Sequence, residues 1–191
     1  MFQLIENFYN KEEYGTVLFY FINEHFISCH QPNNIWMNAD KFKAYPCYQT
    51  SPFTLESNHE LINTLKKTFE RQTGLKVLQL KSFLRKTKKM ELEKSSCWKQ
   101  LRPHVDEDFY DFAGLIYLNS NSFKDGTHFF ITKDSYEPTT TIGSKFNRCV
   151  FYNPLVPHAP STEQDIEERW VQPFFIVTKE STLERYKKNE T

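Results

Sequence analysis

Along the first third of the chain apolar residues recur at helical spacing. Tyr14, Val17, Leu18, Phe21 and Ile22 share one face of a segment from Lys11 to Ile27, with Asn10 placed to cap it and Glu13 three residues on. Ser57 opens a second predicted helix, with Glu60 at the capping-box position, Leu61, Ile62, Leu65 and Phe69 on one face, and Gly74 as its stop. Between them, Ser28 to Leu55 carries Pro32, Pro46 and Pro52 and predicts an irregular connection that covers one side of a site. After Gly74 the period drops to two: "LKVLQLKSFLRKT" alternates apolar and polar residues as a half-buried strand does. Trp98 to His104, Phe112 to Leu118, Thr127 to Thr132, Arg148 to Asn153 and Trp170 to Val177 read as further strands, separated by turn-rich stretches such as "NSNSFKDG". Helices first and strands later predict an α+β fold, mainly β, whose strands form a sandwich or barrel with the helices packed on one side. No linker or repeat divides the chain. The expectation is therefore one domain over 1–191, with a helical part at 1–74, a strand-rich core at 75–178 and a tail at 179–191.

Composition narrows the function classes. The 24 basic and 24 acidic residues cancel, and the densest basic run, "RKTKKMELEK", is diluted by Glu91 and Glu93, so nucleic acid is not an expected partner. With 18 Phe and 10 Tyr against 5 Gly, the core is expected to be Phe-rich. No apolar run is long enough to span a membrane, and "MFQLIENFYN" carries Glu6 where a secretory signal would stay apolar; the expectation is a cytoplasmic protein without membrane attachment. Cys29, Cys47, Cys97 and Cys149 show no zinc or redox spacing and are expected to be reduced, structural thiols. No phosphate-cradling glycine loop or nucleophile elbow occurs, which removes nucleotide-binding and serine-hydrolase chemistry.

One motif remains to be explained. In "RPHVDEDFYDF", His104 and Asp106 stand two residues apart at the entrance to an apolar strand, where polar groups cost several kcal/mol, of order ~2–7, unless something pairs with them. Alternation along a strand projects both side chains from one face. A third candidate, His158, follows an apolar strand and lies between Pro157 and Pro160, which stiffen its backbone. Two imidazoles and a carboxylate with an open opposite face are the arrangement of non-haem Fe(II) oxygenases. A keto-acid co-substrate of such an iron carries a remote carboxylate, whose natural partner is a guanidinium. Arg169, at the head of "WVQPFFIV", is the candidate. His128 sits mid-strand and reads as structural; His25, His30 and His59 read as surface or packing residues.

The order His-x-Asp, "GLIYLN", "DGTHFF", "NRCVFYNPLVPHAP", "ERWVQPFFIV" resembles the 2-oxoglutarate- and Fe(II)-dependent oxygenases, in particular the prolyl-4-hydroxylase-like branch, from about Leu75 to Thr178. The resemblance implies a double-stranded β-helix (jelly roll, cupin-like). It assigns His104, Asp106 and His158 to iron, and Arg169 and Tyr117 to the remote carboxylate of 2-oxoglutarate. It further implies O₂ as oxidant, ascorbate as an accessory reductant, and hydroxylation of a peptidyl or small-molecule substrate with release of succinate and CO₂. The chain departs from the pattern in two places. Asp125 replaces the usual second glycine before Gly126, and Arg169 lies one position later than is commonest, a shift that in a regular strand reverses the face. Two rivals stay open: the same ligands holding Zn(II) or Mn(II) for hydrolysis or isomerisation, and a jelly-roll binding module without turnover.

Overall fold

The computed structural model describes residues 2–28, 47–90, 103–161 and 163–190. Its strands are β1 (Phe2–Ile5), β2 (Ile27–Ser28), β3 (Tyr48–Gln49), β4 (Phe53–Thr54), β5 (Gln79–Ser82), β6 (Arg85–Lys88), β7 (Phe112–Tyr117), β8 (Thr127–Phe129), β9 (Thr140–Ile142), β10 (Cys149–Tyr152), β11 (His158–Pro160) and β12 (Glu168–Val177). The helices are α1 (Lys11–Asn23), α2 (Glu60–Thr73) and α3 (Glu180–Glu190).

Asn10 caps α1 as predicted, accepting from the N–H groups of Glu12 and Glu13 while Glu13 accepts from the N–H of Asn10. The helix stops at Asn23 rather than Ile27, because Glu24 turns extended and Ile27 pairs with Gln49 in the sheet. The start of α2 also differs from expectation. Ser57 lies in a 3₁₀ turn and its hydroxyl donates back to the Thr54 carbonyl, so His59 caps the helix, Nδ1 accepting from the Leu61 N–H at 3.2 Å. Gly74 ends it as predicted, in the left-handed conformation at φ 72°.

Among the described residues nine strands form one antiparallel sheet, in the order β1-β10-β7-β12-β6-β3-β2 with β5 beside β12 and β4 beside β5. A second sheet runs β11-β8-β9. The strand predicted from Leu75 to Thr87 is two strands. β12 pairs with β6 through Glu168–Val171 and with β5 through Phe174–Val177, and Pro173, which has no N–H to offer, sits opposite the break at Phe83 and Leu84. Phe83 N–H still donates to the Pro173 carbonyl, at 3.3 Å, while Leu84 N–H turns to Thr50 Oγ1 at 3.1 Å. Of the strand predicted at Trp98 to His104, only its end is described: His104 forms an isolated bridge with His158.

Alternation sorts the large sheet into two faces. Trp170, Phe174 and Ile176 of β12, Ile116 of β7 and Cys149 and Phe151 of β10 turn outward and pack with Val17 and Phe21 of α1 and Leu61, Ile62, Leu65 and Phe69 of α2. This is the Phe-rich core. Ala113, Leu115, Tyr117, Val150, Tyr152 and Val171 turn the other way, toward Phe129 and Ile142 of the small sheet. That inner layer carries the candidate site residues Tyr117 and Arg169.

Two further expectations are revised or bounded. Cys47 is disulfide-bonded, not reduced; its partner lies outside the described residues, and dispersed cysteines carry no pairing signal in sequence. Cys149 is free and buried. Among the described residues no helix is long and apolar enough to cross a membrane.

Candidate functional site

His158 and His104 face each other across the bridge, each backbone N–H donating to the other's carbonyl at 2.9 Å. Directly paired residues project to the same face, so the two imidazoles stand together with ring centroids 4.3 Å apart. Asp106, two residues on from His104, is tied through its N–H to the Pro154 carbonyl at 2.9 Å, in the turn that leads to His158. The ligand atoms of His104, Asp106 and His158 all lie within 4.8 Å of one another, and His158 Nε2 is 3.5 Å from Asp106 Oδ2. His158 Nδ1 is 3.0 Å from the Val156 carbonyl, a contact that assigns the proton to Nδ1 and directs the Nε2 lone pair into the shared space.

Electrostatics point the same way. Burial pushes the Asp106 carboxyl above its ordinary value, with His158 and then Arg85 pulling it partly back. The ring of Tyr152 lies 4.7 Å from that of His158, and its phenol is held well above the usual range by burial and then by Asp106. A buried carboxylate that is costly to ionise, with two imidazoles aimed at the same point, is a donor set that a divalent cation satisfies. Two nitrogens and one oxygen suit a first-row transition metal rather than Ca²⁺ or Mg²⁺.

The register answers the question raised by the position of Arg169. It pairs with Thr87, and Val171, two residues on, pairs with both Arg85 and Tyr117, so Arg169, Arg85 and Tyr117 all face inward. Tyr117 is fully buried; its hydroxyl bonds Thr127 Oγ1 at 2.9 Å and donates to the Ile142 carbonyl at 3.3 Å. Burial pushes its pKa up to about 12, against which the charge of Arg169 works, so at neutral pH it is a hydroxyl donor. Arg169 is also buried, and its Nη1 donates to the carbonyls of Asp125 at 3.0 Å and Gly126 at 3.4 Å. That turn is itself pinned. The Asp125 carboxylate accepts from the Ser120 hydroxyl and, at 2.9 Å, from the Asp165 N–H. At Gly126 the Ile142 carbonyl occupies the space a Cβ would take. Asp125 therefore holds the cradle of the buried arginine.

The structure thus brings the five candidate residues to one interior layer. His128 points away from it, with Nδ1 2.7 Å from Thr141 Oγ1. Asn153 is exposed and accepts from the Leu155 N–H at 2.9 Å; His59 is a helix cap and His25 is exposed, while His30 and Arg102 lie outside the described residues. Sequence reasoning missed Thr127, Gln49 and Arg85. Only the last carried a signal, its alternation with Thr87 in "LRKT", and that signal acquires meaning once β6 is known to border β12.

No family model matches the sequence, and no curated protein matches it. Solved structures do. An oxidoreductase of the 2OG-Fe(II) oxygenase family from Burkholderia pseudomallei superposes with a TM-score of 0.60 at 9% identity, covering 93% of this chain and 86% of that one. A prolyl hydroxylase from Trichoplax adhaerens, in complex with a hypoxia inducible factor peptide fragment, gives 0.58 at 14% identity over 95% and 86%. HygX from Streptomyces hygroscopicus, with nickel, 2-oxoglutarate and hygromycin B bound, gives 0.58 at 9% identity over 94% and 83%. The chain has the double-stranded β-helix fold of the 2-oxoglutarate, Fe(II) oxygenases, prolyl hydroxylases among them.

Proposed function

We propose that the protein is a 2-oxoglutarate- and Fe(II)-dependent dioxygenase, with His104, Asp106 and His158 holding the metal and Arg169 and Tyr117 receiving the far carboxylate of 2-oxoglutarate. The observation that carries this reading is the convergence of the three ligand atoms within 4.8 Å on the interior face that also bears Arg169. Bound there, Fe(II) supplies the chemistry by which O₂ and 2-oxoglutarate hydroxylate a substrate C–H bond and leave succinate and CO₂. The chain's own groups place the reactants. His158 is fixed in one tautomer by the Val156 carbonyl, and Asp106 contributes the negative charge that its burial makes costly without a cation. Arg169 offers a guanidinium whose fork matches a carboxylate, already oriented by the Asp125 and Gly126 carbonyls. Tyr117 and Thr127 add hydroxyls that stay protonated at neutral pH, and Phe129, Ile142 and Val150 pack in the same buried cluster.

Like-folded proteins bind a peptide fragment in one case and the small molecule hygromycin B in another. The test is His158→Ala. Substrate-independent succinate release from 2-oxoglutarate, supported by the Fe(II)-loaded wild-type protein, is expected to vanish in this variant; undiminished release would remove His158 from the site.

A further inference from the structure

Tyr117 on β7 and Tyr152 on β10 both turn their rings into the inner layer, and they are held differently. The Tyr117 hydroxyl bonds Thr127 Oγ1 and the Ile142 carbonyl. The Tyr152 hydroxyl makes no hydrogen bond to any of the described residues, although the residue is only 4% exposed. Its ring is well fixed. It lies 4.7 Å from the ring of His158 and edge-on to Phe129 at 5.1 Å, centroid to centroid. Phe129 stacks in turn on Phe2, the residue that pairs with Tyr152 across β1 and β10. Packing thus holds the phenol in place and leaves its polar end without a partner among the described residues, whereas a buried tyrosine hydroxyl as a rule has one.

The groups whose charge acts on that hydroxyl are Asp106 first, then Tyr117 and Arg85. It is therefore a neighbour of the metal-ligand cluster and of the tyrosine assigned to the far carboxylate, and hydrogen-bonded to neither. The chemistry of a 2-oxo acid supplies what is missing. Such an acid chelates a metal through its keto oxygen and one oxygen of the adjacent carboxylate, and the second oxygen of that carboxylate is left as an acceptor at the metal end. An O–H group set against a ligand imidazole is a donor for that oxygen, and a hydroxyl that donates to a carboxylate makes a short, strong bond. The far carboxylate already has its donors in Arg169 and Tyr117; for the near one, Tyr152 is the neutral donor in the same layer.

Taking the site as assigned above, we propose that Tyr152 is a further co-substrate-binding residue, whose hydroxyl donates to the metal-proximal carboxylate of 2-oxoglutarate. The experiment uses full-length protein and Tyr152→Phe, which removes the hydroxyl and keeps the ring against His158 and Phe129. The Tm of the metal-free variant is expected to be no lower than that of wild type, because no bond within the fold is lost. By calorimetry the variant should bind Mn(II) with a Kd within about three-fold of wild type, while the Kd for 2-oxoglutarate on the Mn(II)-loaded protein rises by about ten-fold or more, the scale of a hydrogen bond to a charged acceptor. In anaerobic Fe(II)-loaded protein the visible charge-transfer band of the keto-acid chelate should shift, a change that a purely packing role for the ring would not produce. A lowered Tm or a variant that does not fold would show that the hydroxyl already serves the fold. A Mn(II) Kd raised as far as that of 2-oxoglutarate would tie Tyr152 to the imidazole and not to the co-substrate, and an unchanged 2-oxoglutarate Kd or an unshifted band would leave it no role there. Each of these outcomes overturns the proposal. Wild-type protein is titrated first with Mn(II) and 2-oxoglutarate; failure at that stage strikes the site assignment itself, and success there with a variant that matches wild type strikes only the role of Tyr152.

Discussion

The two faces of β12 are built from alternate residues of one ten-residue strand, yet they follow different rules. Outward, Trp170, Phe174 and Ile176 meet helix side chains, and Phe69 of α2 lies 6.0 Å from Phe174 and 5.3 Å from Phe151, centroid to centroid. The packing there is close enough that a Cβ at Gly114 would fall 2.5 Å from Phe174 Cζ and 2.6 Å from the Val150 carbonyl. Inward, Arg169 is as buried as its apolar neighbours and is tolerated because backbone carbonyls receive it. The outer face is a store of stability, and the inner face draws on that store to keep charged groups out of water. Each can therefore be damaged without the other.

The largest effect is expected on the outer face. Phe174→Ala should cost about 3–5 kcal/mol of unfolding free energy by denaturant titration, with the affinity of the surviving folded protein for 2-oxoglutarate unchanged. A large loss of affinity would mean that the two faces are not separable. Next comes Arg169→Ala on the inner face. Truncating one partner of a buried charge pair costs about 2–5 kcal/mol, which corresponds to a 2-oxoglutarate Kd raised by a factor of about 30 or more. A Kd within three-fold of wild type by calorimetry would dismiss Arg169 as the anchor.

Asp125→Ala is expected to act more weakly through the same arginine, raising the KM for 2-oxoglutarate by about ten-fold, since hydrogen bonds to a charged acceptor contribute about 1.5–3 kcal/mol. The Kd of the Arg169→Ala variant should not rise further when Asp125→Ala is added; additive losses would show that Asp125 supports the fold and not the arginine.

The smallest effect has the opposite sign. The Asp106 carboxyl is raised above 3.8 by burial, so the native state holds its proton more tightly than the unfolded chain does. The stability it contributes is present at low pH and lost as the pH rises through the raised native value. In metal-free protein at neutral pH, Asp106→Asn should therefore raise Tm, each kcal/mol recovered giving about 2–4 °C in a chain of this size. The gain should shrink on acidification, and Mn(II) should raise the Tm of the wild type but not that of the variant. A variant less stable than wild type without metal would contradict the burial argument.

Much of this division could be read from the chain. Phe69, Leu65 and Leu61 announce the buried face of α2 by their spacing, and the alternation of Trp170 to Val177 announces a strand with two faces. The His104-x-Asp106 pair and His158 stood out because polar groups beside apolar runs need a reason. What the sequence concealed depends on register. Nothing local says that β6 lies beside β12, so Arg85 looked like any basic residue in a lysine-rich run. The strands β9 and β11 are three residues long and have no period to detect; they exist because β8 supplies partners on both sides. Ser57 shows the same limit in a helix: its hydroxyl satisfies the carbonyl behind it, a choice made by the turn and not by the residue type.

The reciprocal bonds between His104 and His158 have one more consequence. Among the described residues these two bonds form the seam that joins His104, ahead of β7, to the small sheet. An ion gripped by the side chains of those same residues would act as a rivet through that seam. Loading and chelation should then be visible as slowed and quickened deuterium uptake at these two backbone positions, giving a report of occupancy that requires neither oxygen nor turnover.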